Sequence, residues 1–453
     1  MTDTTSSPTF LRAVGVLGLA AAIFNCTVGG GIFRLPAGAA AAAGTAAPFV
    51  YLICAAVIGC VVLCFAEVGS RVPRTGGPYA YVEAAYGRYP GFLAGVLLWM
   101  IVTTAVGGVA SAFADAVATL AGVPAIRAPV IVGTFTLLAA VNVRGIEQGT
   151  RLVMVASVAK LLPLLVFVGV GVFFVEPANL VISTAPPASD LARAAMMLVF
   201  AFMGVESALV PSGEVRDPAR SVPRALALAM IGVTVLYMCI HLVAAGILGP
   251  RLATATVAPL AFAADRFLGR PGYLLMLTGA SISMFGYLSG MTLAAPRALW
   301  KFADEGLLPK SLSAIHPRFR TPHVAIIVQS LIVTALAVFN SFERLAVIAN
   351  ASALLLYGAV AVATLVLRRR DVRHDGATPF RVPGGALVPM ATVALIGWLL
   401  TSTTPAEWGA MVTTLFVATI FYGVRSRLAA DGASTKRPIH DDPVPVPVRE
   451  RSS

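Results

Sequence analysis

Apolar residues along this chain form twelve long runs, which are separated by short segments where charged residues, proline and glycine collect. An α-helix needs roughly 20 predominantly apolar residues to cross a bilayer. The pattern therefore predicts an all-α, polytopic membrane protein with about 12 transmembrane helices, over residues 12–42, 46–69, 92–121, 126–143, 150–175, 193–212, 225–249, 273–296, 322–340, 343–367, 386–403 and 406–424.

Composition and charge agree with this class. Hydrophobic residues make up 58% of the 453 residues and charged residues 12%, and no room is left for a large soluble domain. With the N-terminus inside, the inward-facing connections and the two terminal segments carry twenty-five of the thirty-three Lys and Arg residues. This bias predicts a protein of the cell (plasma or inner) membrane, with lipid contacts and both termini in the cytoplasm. The net charge of +12 thus reflects topology and predicts no nucleic-acid partner.

Three consecutive glycines, Gly29, Gly30 and Gly31, interrupt the first apolar run. Each glycine weakens a helix by roughly 1 kcal/mol relative to alanine, and unpaired backbone at bilayer depth is tolerated only against protein or a cavity. Secondary transporters use a helix broken at the midplane to bind a small ligand. The alternative is that the glycines only let helices pack closely.

An internal similarity points the same way. Residues 78–91 recur at 259–272 with an offset of 181, and the two loops are expected on opposite sides of the membrane. Five-helix repeats of inverted topology require this arrangement. The sixth run should then also be broken, and it holds Gly204 between Phe200 and Glu206.

The chain resembles the amino acid–polyamine–organocation transporter superfamily in four segments: Gly29–Phe33, Phe65–Tyr81, Phe200–Pro218 and Ala295–Pro309. The resemblance implies a 5+5 inverted repeat (LeuT-like) with discontinuous helices 1 and 6, plus two accessory helices. The expected parts are a cytoplasmic N-terminal segment (1–11), the two repeats (12–175 and 191–367), the accessory helices (386–424) and a disordered cytoplasmic tail (425–453).

For an amino acid substrate, free N–H groups at the first break suit a carboxylate and free carbonyls at the second suit an ammonium group. The resemblance assigns these contacts, and it makes Phe200 the aromatic gate. The predicted substrate-binding residues are Gly29, Gly30, Gly31, Phe200, Ala201, Met203 and Gly204. The plainer interpretation of Phe200 and Phe202 is that both are core or lipid-facing.

Coupling and gating are expected at Lys160, Glu206 and Phe202. A charge within the membrane is costly unless it is paired, neutral or solvated. The resemblance implies that Lys160 places its ammonium where sodium-coupled relatives bind sodium, and that Glu206 carries a proton. Both could instead be structurally paired. Asp115 and His241 are further polar residues in the spans, with a functional or a structural role.

The leading hypothesis is a sodium-independent secondary-active amino acid transporter that works by alternating access, with proton coupling or exchange. Its substrate is a cationic or small neutral amino acid, or a related amine, and the protein is a monomer or homodimer. The alternatives are a sodium-coupled symporter of the same fold and a transport-dead amino acid sensor. No enzyme motif is present, so no catalytic residue, cofactor or metal site is predicted.

Overall fold

The chain forms α-helices and short 3-10 turns in the computed structural model, which describes residues 15–72, 77–145, 150–182, 185–204, 218–304, 306, 308–372 and 379–434. Within these ranges there is no strand, so the all-α prediction is confirmed. The helices are α1 (Val16–Thr27), α2 (Leu35–Ala43), α3 (Ala47–Arg71), α4 (Pro78–Tyr86), α5 (Arg88–Ala121), α6 (Arg127–Val143), α7 (Thr150–Gly171), α8 (Ala188–Phe202), α9 (Pro218–Leu248), α10 (Pro259–Ala294), α11 (Pro296–Asp304), α12 (His323–Phe339), α13 (Phe342–Arg369), α14 (Leu387–Leu400) and α15 (Pro405–Ser434).

Seven helical stretches among the described residues are long and apolar enough to cross a membrane. They are Leu35–Arg71, Arg88–Ala121, Pro124–Val143, Arg224–Thr254, Pro259–Asp304, Phe342–Arg369 and Pro405–Val424. Shorter apolar helices cover Val16–Asn25, Lys160–Phe174, His323–Phe339 and Leu387–Leu400. A polytopic membrane protein is therefore confirmed, whereas the number of twelve spans and the inverted repeat stay predictions.

The two similar segments are helical, and their prediction as loops was wrong. Each begins a helix with a proline in its first turn, at Pro78 and at Pro259. Each helical segment then reaches a glycine with positive φ, Gly87 at 92° and Gly269 at 61°, before a long helix follows. Proline suits a first helical turn because its missing N–H would have no partner there. The two segments thus share their local structure as well as their sequence.

The last helix also departs from expectation. α15 ends at Ser434, ten residues inside the segment predicted as a disordered tail. The helix therefore continues beyond the predicted membrane span, which ends at residue 424. Residues 435–453 lie outside the described residues.

Helices α5 and α13 pack against each other in the interior of the bundle. Gly107 and Gly108 of α5 face Leu345 and Phe342 of α13, where an added Cβ would come within 3.2–3.4 Å of its nearest neighbours. Small residues let membrane helices approach closely, because little hydrophobic driving force acts between helices in lipid. This contact brings the first turn of α13 next to the region of the glycine break.

The opposite end of α13 holds a buried charge cluster that we call the Glu67 cluster, consisting of Glu67, Arg71 and Arg368. The Glu67 carboxylate accepts hydrogen bonds from Arg368 Nε at 2.6 Å, from Arg71 Nη2 at 3.1 Å and from the backbone N–H of Val382 at 2.8 Å. Its side chain is 0% exposed. The cluster joins the ends of α3 and α13 to the segment that precedes α14.

Candidate functional site

The helix is interrupted at the three glycines of the first apolar run. α1 ends at Thr27, Val28 and Gly29 leave the helical conformation, and a 3-10 turn over Gly30–Phe33 precedes α2. The backbone of Gly29 is extended, with φ −100° and ψ −171°. The first N–H groups of a helical segment have no partner within that segment. The break therefore presents backbone N–H donors between α1 and α2.

The first part of the second predicted break lies within the described residues. α8 ends at Phe202, Met203 is extended with ψ 150°, and Gly204 has φ 103°. Only glycine adopts such a φ without strain. Residues 205–217, which include Glu206, lie outside the described residues.

Tyr237 of α9 connects the two breaks. Its hydroxyl oxygen lies 3.0 Å from the carbonyl oxygen of Thr27 and 3.0 Å from that of Ala201, so its proton can be donated to either. A backbone hydrogen bond from Gly29 reaches the same hydroxyl. Two predicted binding groups, the N–H of Gly29 and the carbonyl of Ala201, are thus engaged by one buried side chain.

Lys160 of α7 reaches the first break from the side. Its Nζ donates to the backbone carbonyl of Asn25, in the last turn of α1. This carbonyl lies two residues before the end of the helix. The predicted proximity of the Lys160 ammonium to the broken helix is therefore present.

The three glycines have three different environments. Among the described residues, an added Cβ at Gly29 would meet only the carbonyl oxygen of Thr27, at 3.9 Å, so that part of the chain leaves space in front of this residue. The same atom at Gly30 would overlap the side chain of Met284 on α10. At Gly31 it would lie 3.0 Å from the ring of Phe200. Apolar side chains from α8 and α10 thus cover two of the three glycines.

The other residues predicted around the second break pack in the interior. Phe202 is 0% exposed and its ring packs edge-on against Tyr237, with 5.5 Å between centroids. Ala201 is buried, whereas Met203 and Gly204 are half-buried. His241 is also buried, with its Nδ1 3.5 Å from the Tyr51 hydroxyl, so it belongs to the packing between α3 and α9.

A second charge cluster, the Arg34 cluster, lies beside the covered glycines and consists of Arg34, Asp115, Arg127 and Glu343. Arg34 pairs with Asp115 at 2.7 Å and with Glu343 at 2.9 Å, and Arg127 pairs with Asp115 at 2.8 Å.

Aromatic contacts connect this cluster to the first break. The guanidinium of Arg34 lies 5.6 Å from the ring centroid of Phe342, and the Phe342 ring packs edge-on against Phe200 at 5.4 Å. Phe200 in turn covers Gly31. The Arg34 cluster therefore contacts the predicted gate, Phe200, through the ring of Phe342.

The sequence analysis did not identify Tyr237, Met284 or Arg34 as residues of the site. A tyrosine in the middle of an apolar span was the usable signal, because a buried Tyr hydroxyl usually has a hydrogen-bond partner. Met284 carried no such signal, since methionine is ordinary in an apolar run. Arg34 follows the glycines by three residues, and its two carboxylate partners lie 81 and 309 residues away.

Apolar helices that are interrupted along their length are typical of membrane transporters. The chain belongs to the amino acid permease family, which it matches over residues 14–428. Its similarity to that family covers both breaks and both charge clusters. Proteins of this family are transporters and not enzymes, as was predicted.

Individual relatives align over most of their length. The chain is 26% identical to the methylthioribose transporter of Bacillus subtilis, over 93% of this chain and 95% of the relative. It is 34% identical to a transporter of Mycobacterium tuberculosis, over 76% and 80% respectively. It is 26% identical to the serine/threonine exchanger SteT of Bacillus subtilis, over 92% and 98%.

Proposed function

We propose that the protein is a sodium-independent secondary-active transporter of α-amino acids that works by alternating access in the cell membrane, with both termini in the cytoplasm. The single observation that carries this proposal is the pair of helix breaks joined by Tyr237. A zwitterion needs donors for its carboxylate and acceptors for its ammonium group, and two broken helices supply both from backbone. The serine/threonine exchanger among the relatives supports an amino acid as substrate.

In this proposal the substrate carboxylate binds the N–H groups at Gly29, Gly30 and Gly31. The ammonium group binds carbonyls at the end of α8, from Phe200, Ala201 or Met203. Gly204 lets the chain turn at the second break. The Phe200 ring covers Gly31, and its displacement opens the way to the backbone.

The position of Lys160 supports independence from sodium. Its ammonium donates a hydrogen bond to a backbone carbonyl of α1. It thereby places at this carbonyl a positive charge that a bound sodium ion would otherwise supply. A lysine inside a membrane protein can also lose its proton, and Glu206 is the other candidate proton carrier. The protein then moves substrate with a proton or by exchange.

The experiment is uptake of labelled alanine, serine, leucine, phenylalanine, lysine and glutamate by purified protein in liposomes. We expect uptake of at least one amino acid without sodium, and Lys160→Ala should reduce this uptake at least tenfold. A requirement of the wild-type protein for sodium would support the symporter alternative. Saturable binding without any transport would support the sensor.

Tyr237→Phe tests the connection between the breaks because it removes one oxygen atom and keeps the ring. Unsatisfied buried partners cost about 1–3 kcal/mol. Because 1.4 kcal/mol is a factor of ten, we expect uptake to fall by about fivefold to 150-fold. Tyr273→Phe on α10 is the matched control and should keep wild-type uptake. Wild-type uptake by Tyr237→Phe as well as by Tyr273→Phe would contradict the proposed role of Tyr237 in connecting the two breaks.

A further inference from the structure

The backbone of α8 accepts side-chain hydrogen bonds at three consecutive residues in the middle of the helix. Cys54 Sγ of α3 donates to the carbonyl oxygen of Ala195 at 3.4 Å. Asn350 Nδ2 of α13 donates to the carbonyl oxygens of Met196 and Met197, at 2.6 Å and 3.4 Å. A carbonyl within a helix already accepts from the N–H four residues later, and its second lone pair remains available. These bonds are therefore additional to those of α8 itself, and they join α8 to its neighbours.

Asn350 is the stronger of the two donors. An amide N–H donates well, whereas a thiol S–H is a weak donor. Asn350 is 0% exposed, so its amide is buried between the helices. A polar side chain inside a membrane-spanning helix is unfavourable without a partner, and hydrogen bonds of this kind join membrane helices. The Asn350 amide therefore fixes α8 against α13 in a way that an apolar side chain of the same size does not.

A second contact joins the same two helices, eight residues earlier on α13. The ring of Phe342 packs edge-on against Phe200, with 5.4 Å between centroids. Phe342 and Asn350 lie on the same side of α13, because residues eight apart are about two turns apart. On α8, Phe200 lies one turn after Met196. Asn350 thus holds the helical turn next to the one that places Phe200 over Gly31.

A recess lies between α2, α8 and α13, beside both contacts. It contains about 350 Å³ of empty space, open in part to solvent. Its lining includes Met197 of α8 together with Phe342 and Ala346 of α13. Because space separates the two helices here, the distance between them depends on the contacts of Asn350 and Phe342. Ala346 is 2% exposed, and movement of α8 away from α13 would expose it.

We propose that Asn350 is a positioning residue for the gate. Its hydrogen bonds to α8 hold the closed conformation, in which Phe200 covers Gly31, and they break when α8 moves away from α13. The proposal rests on the proposed function, because it takes Phe200 as the gate over the substrate-binding backbone. It extends that function by naming the contact that sets the equilibrium between the closed and open positions of α8.

The experiment measures how fast a charged, membrane-impermeant maleimide labels Ala346→Cys in the purified full-length protein. Asn350→Leu and Asn350→Ala are compared with Asn350 in this background, and protein without the introduced cysteine gives the labelling of the native thiols. One hydrogen bond between membrane helices changes an equilibrium by about threefold to 20-fold, so we expect both variants to label faster by this factor. Ser352→Ala is the matched control and should label at the wild-type rate, because the equally buried Ser352 hydroxyl donates to the Ile348 carbonyl of its own helix.

Ala363→Cys, near the other end of α13, separates local opening from unfolding, because Ala363 is 0% exposed. Faster labelling at both cysteines would indicate general unfolding and would overturn the proposal. Unchanged labelling of Ala346→Cys in the Asn350 variants would also overturn it. If one variant fails to fold, the other decides. Failure of both to fold overturns the proposal, because a bond that breaks in every transport cycle is not one on which the fold depends.

Uptake by the reconstituted protein provides a second measurement. The KM of a transported amino acid should rise by the same factor in the Asn350 variants, because substrate then closes the gate from a less favourable equilibrium. Ser352→Ala should keep the wild-type KM, and a fall in kcat at unchanged KM in the Asn350 variants would overturn the proposal. Labelling needs no substrate. If well-folded wild-type protein transports none of the amino acids tested, the proposed function fails while the labelling still decides how α8 is held.

Discussion

The two ends of α13 carry two charge clusters that differ in burial. Glu343 lies in the first turn and Arg368 in the last, which places them about 38 Å apart at 1.5 Å per residue. In the Glu67 cluster, the side chains of Glu67 and Arg71 are 0% and 1% exposed. In the Arg34 cluster, Glu343 is 35% exposed. Arg368, at 18%, is the exposed member of the Glu67 cluster. Solvent therefore reaches the Glu343 carboxylate and does not reach the Glu67 carboxylate.

The difference in burial determines in which cluster the ion pairs can break during a conformational change. Removing one partner of a buried pair leaves an uncompensated charge and costs about 3–5 kcal/mol, whereas an exposed pair contributes about 0–1 kcal/mol. We expect the Glu67 cluster to stay closed while the protein changes conformation. The Arg34 cluster can exchange its partners for water, and it contacts Phe342 and, through it, Phe200. Within the proposed alternating access, motion then belongs to the end of α13 that holds Glu343.

The largest effect that we expect is on the free energy of unfolding, for the matched variants Glu67→Ala and Glu343→Ala. Glu67→Ala should lower the free energy of unfolding by about 3–5 kcal/mol, because Arg71 and Arg368 lose their shared buried carboxylate. Glu343→Ala should lower it by about 0–1 kcal/mol. Thermal unfolding of both proteins in the same detergent measures the difference. Equal destabilisation would mean that the burial of the two clusters has no energetic consequence.

A smaller effect, on the rate of uptake, is expected for substitutions within the Arg34 cluster. Asp115 pairs with both Arg34 and Arg127, whereas among the described residues Glu343 pairs with Arg34 alone. Asp115→Asn should therefore reduce uptake several-fold more than Glu343→Gln, because it weakens two charge-assisted contacts instead of one. Initial rates of substrate uptake in liposomes measure both. A stronger effect of Glu343→Gln would show that the contact with α13 dominates the cluster.

The smallest effect on uptake is expected when a disulfide fixes the backbone beside the Glu67 cluster. The backbone N–H of Phe380 donates to Ser70 Oγ at 3.0 Å, beside that cluster. A disulfide between Ser70→Cys and Phe380→Cys should leave uptake close to that of the reduced protein, because no movement is expected there. Each single variant under the same oxidant is the control. Loss of uptake on oxidation that a reductant restores would contradict a fixed Glu67 cluster.

Local features of the site were predictable from sequence, and long-range ones were not. The break at Gly29, Gly30 and Gly31 follows from the low helix propensity of glycine, which is a property of the residues themselves. The end of α8 next to Gly204 follows from the same property together with the internal similarity. The position of Lys160 came from family resemblance.

The tertiary contacts had no local signal. Glu67 meets Arg368 across 301 residues, and Tyr237 reaches Thr27 across 210. The cover that Met284 places over Gly30 depends on how α10 packs, and an apolar run does not specify that packing. The segment 78–86 was mistaken for a loop because its glycine and proline neighbours are typical of turns, although proline at Pro78 also suits the start of a helix.

The central claim is that substrate binds at the broken first helix, and Gly29→Val tests it most directly. In the described part of the chain, only the Thr27 carbonyl oxygen lies within 4 Å of the new Cβ. The backbone at Gly29 is extended, as valine prefers. We predict wild-type thermal stability with uptake abolished, while Gly59→Val on α3, also in open space, keeps uptake. Wild-type uptake by a stable Gly29→Val protein would contradict a site at this break.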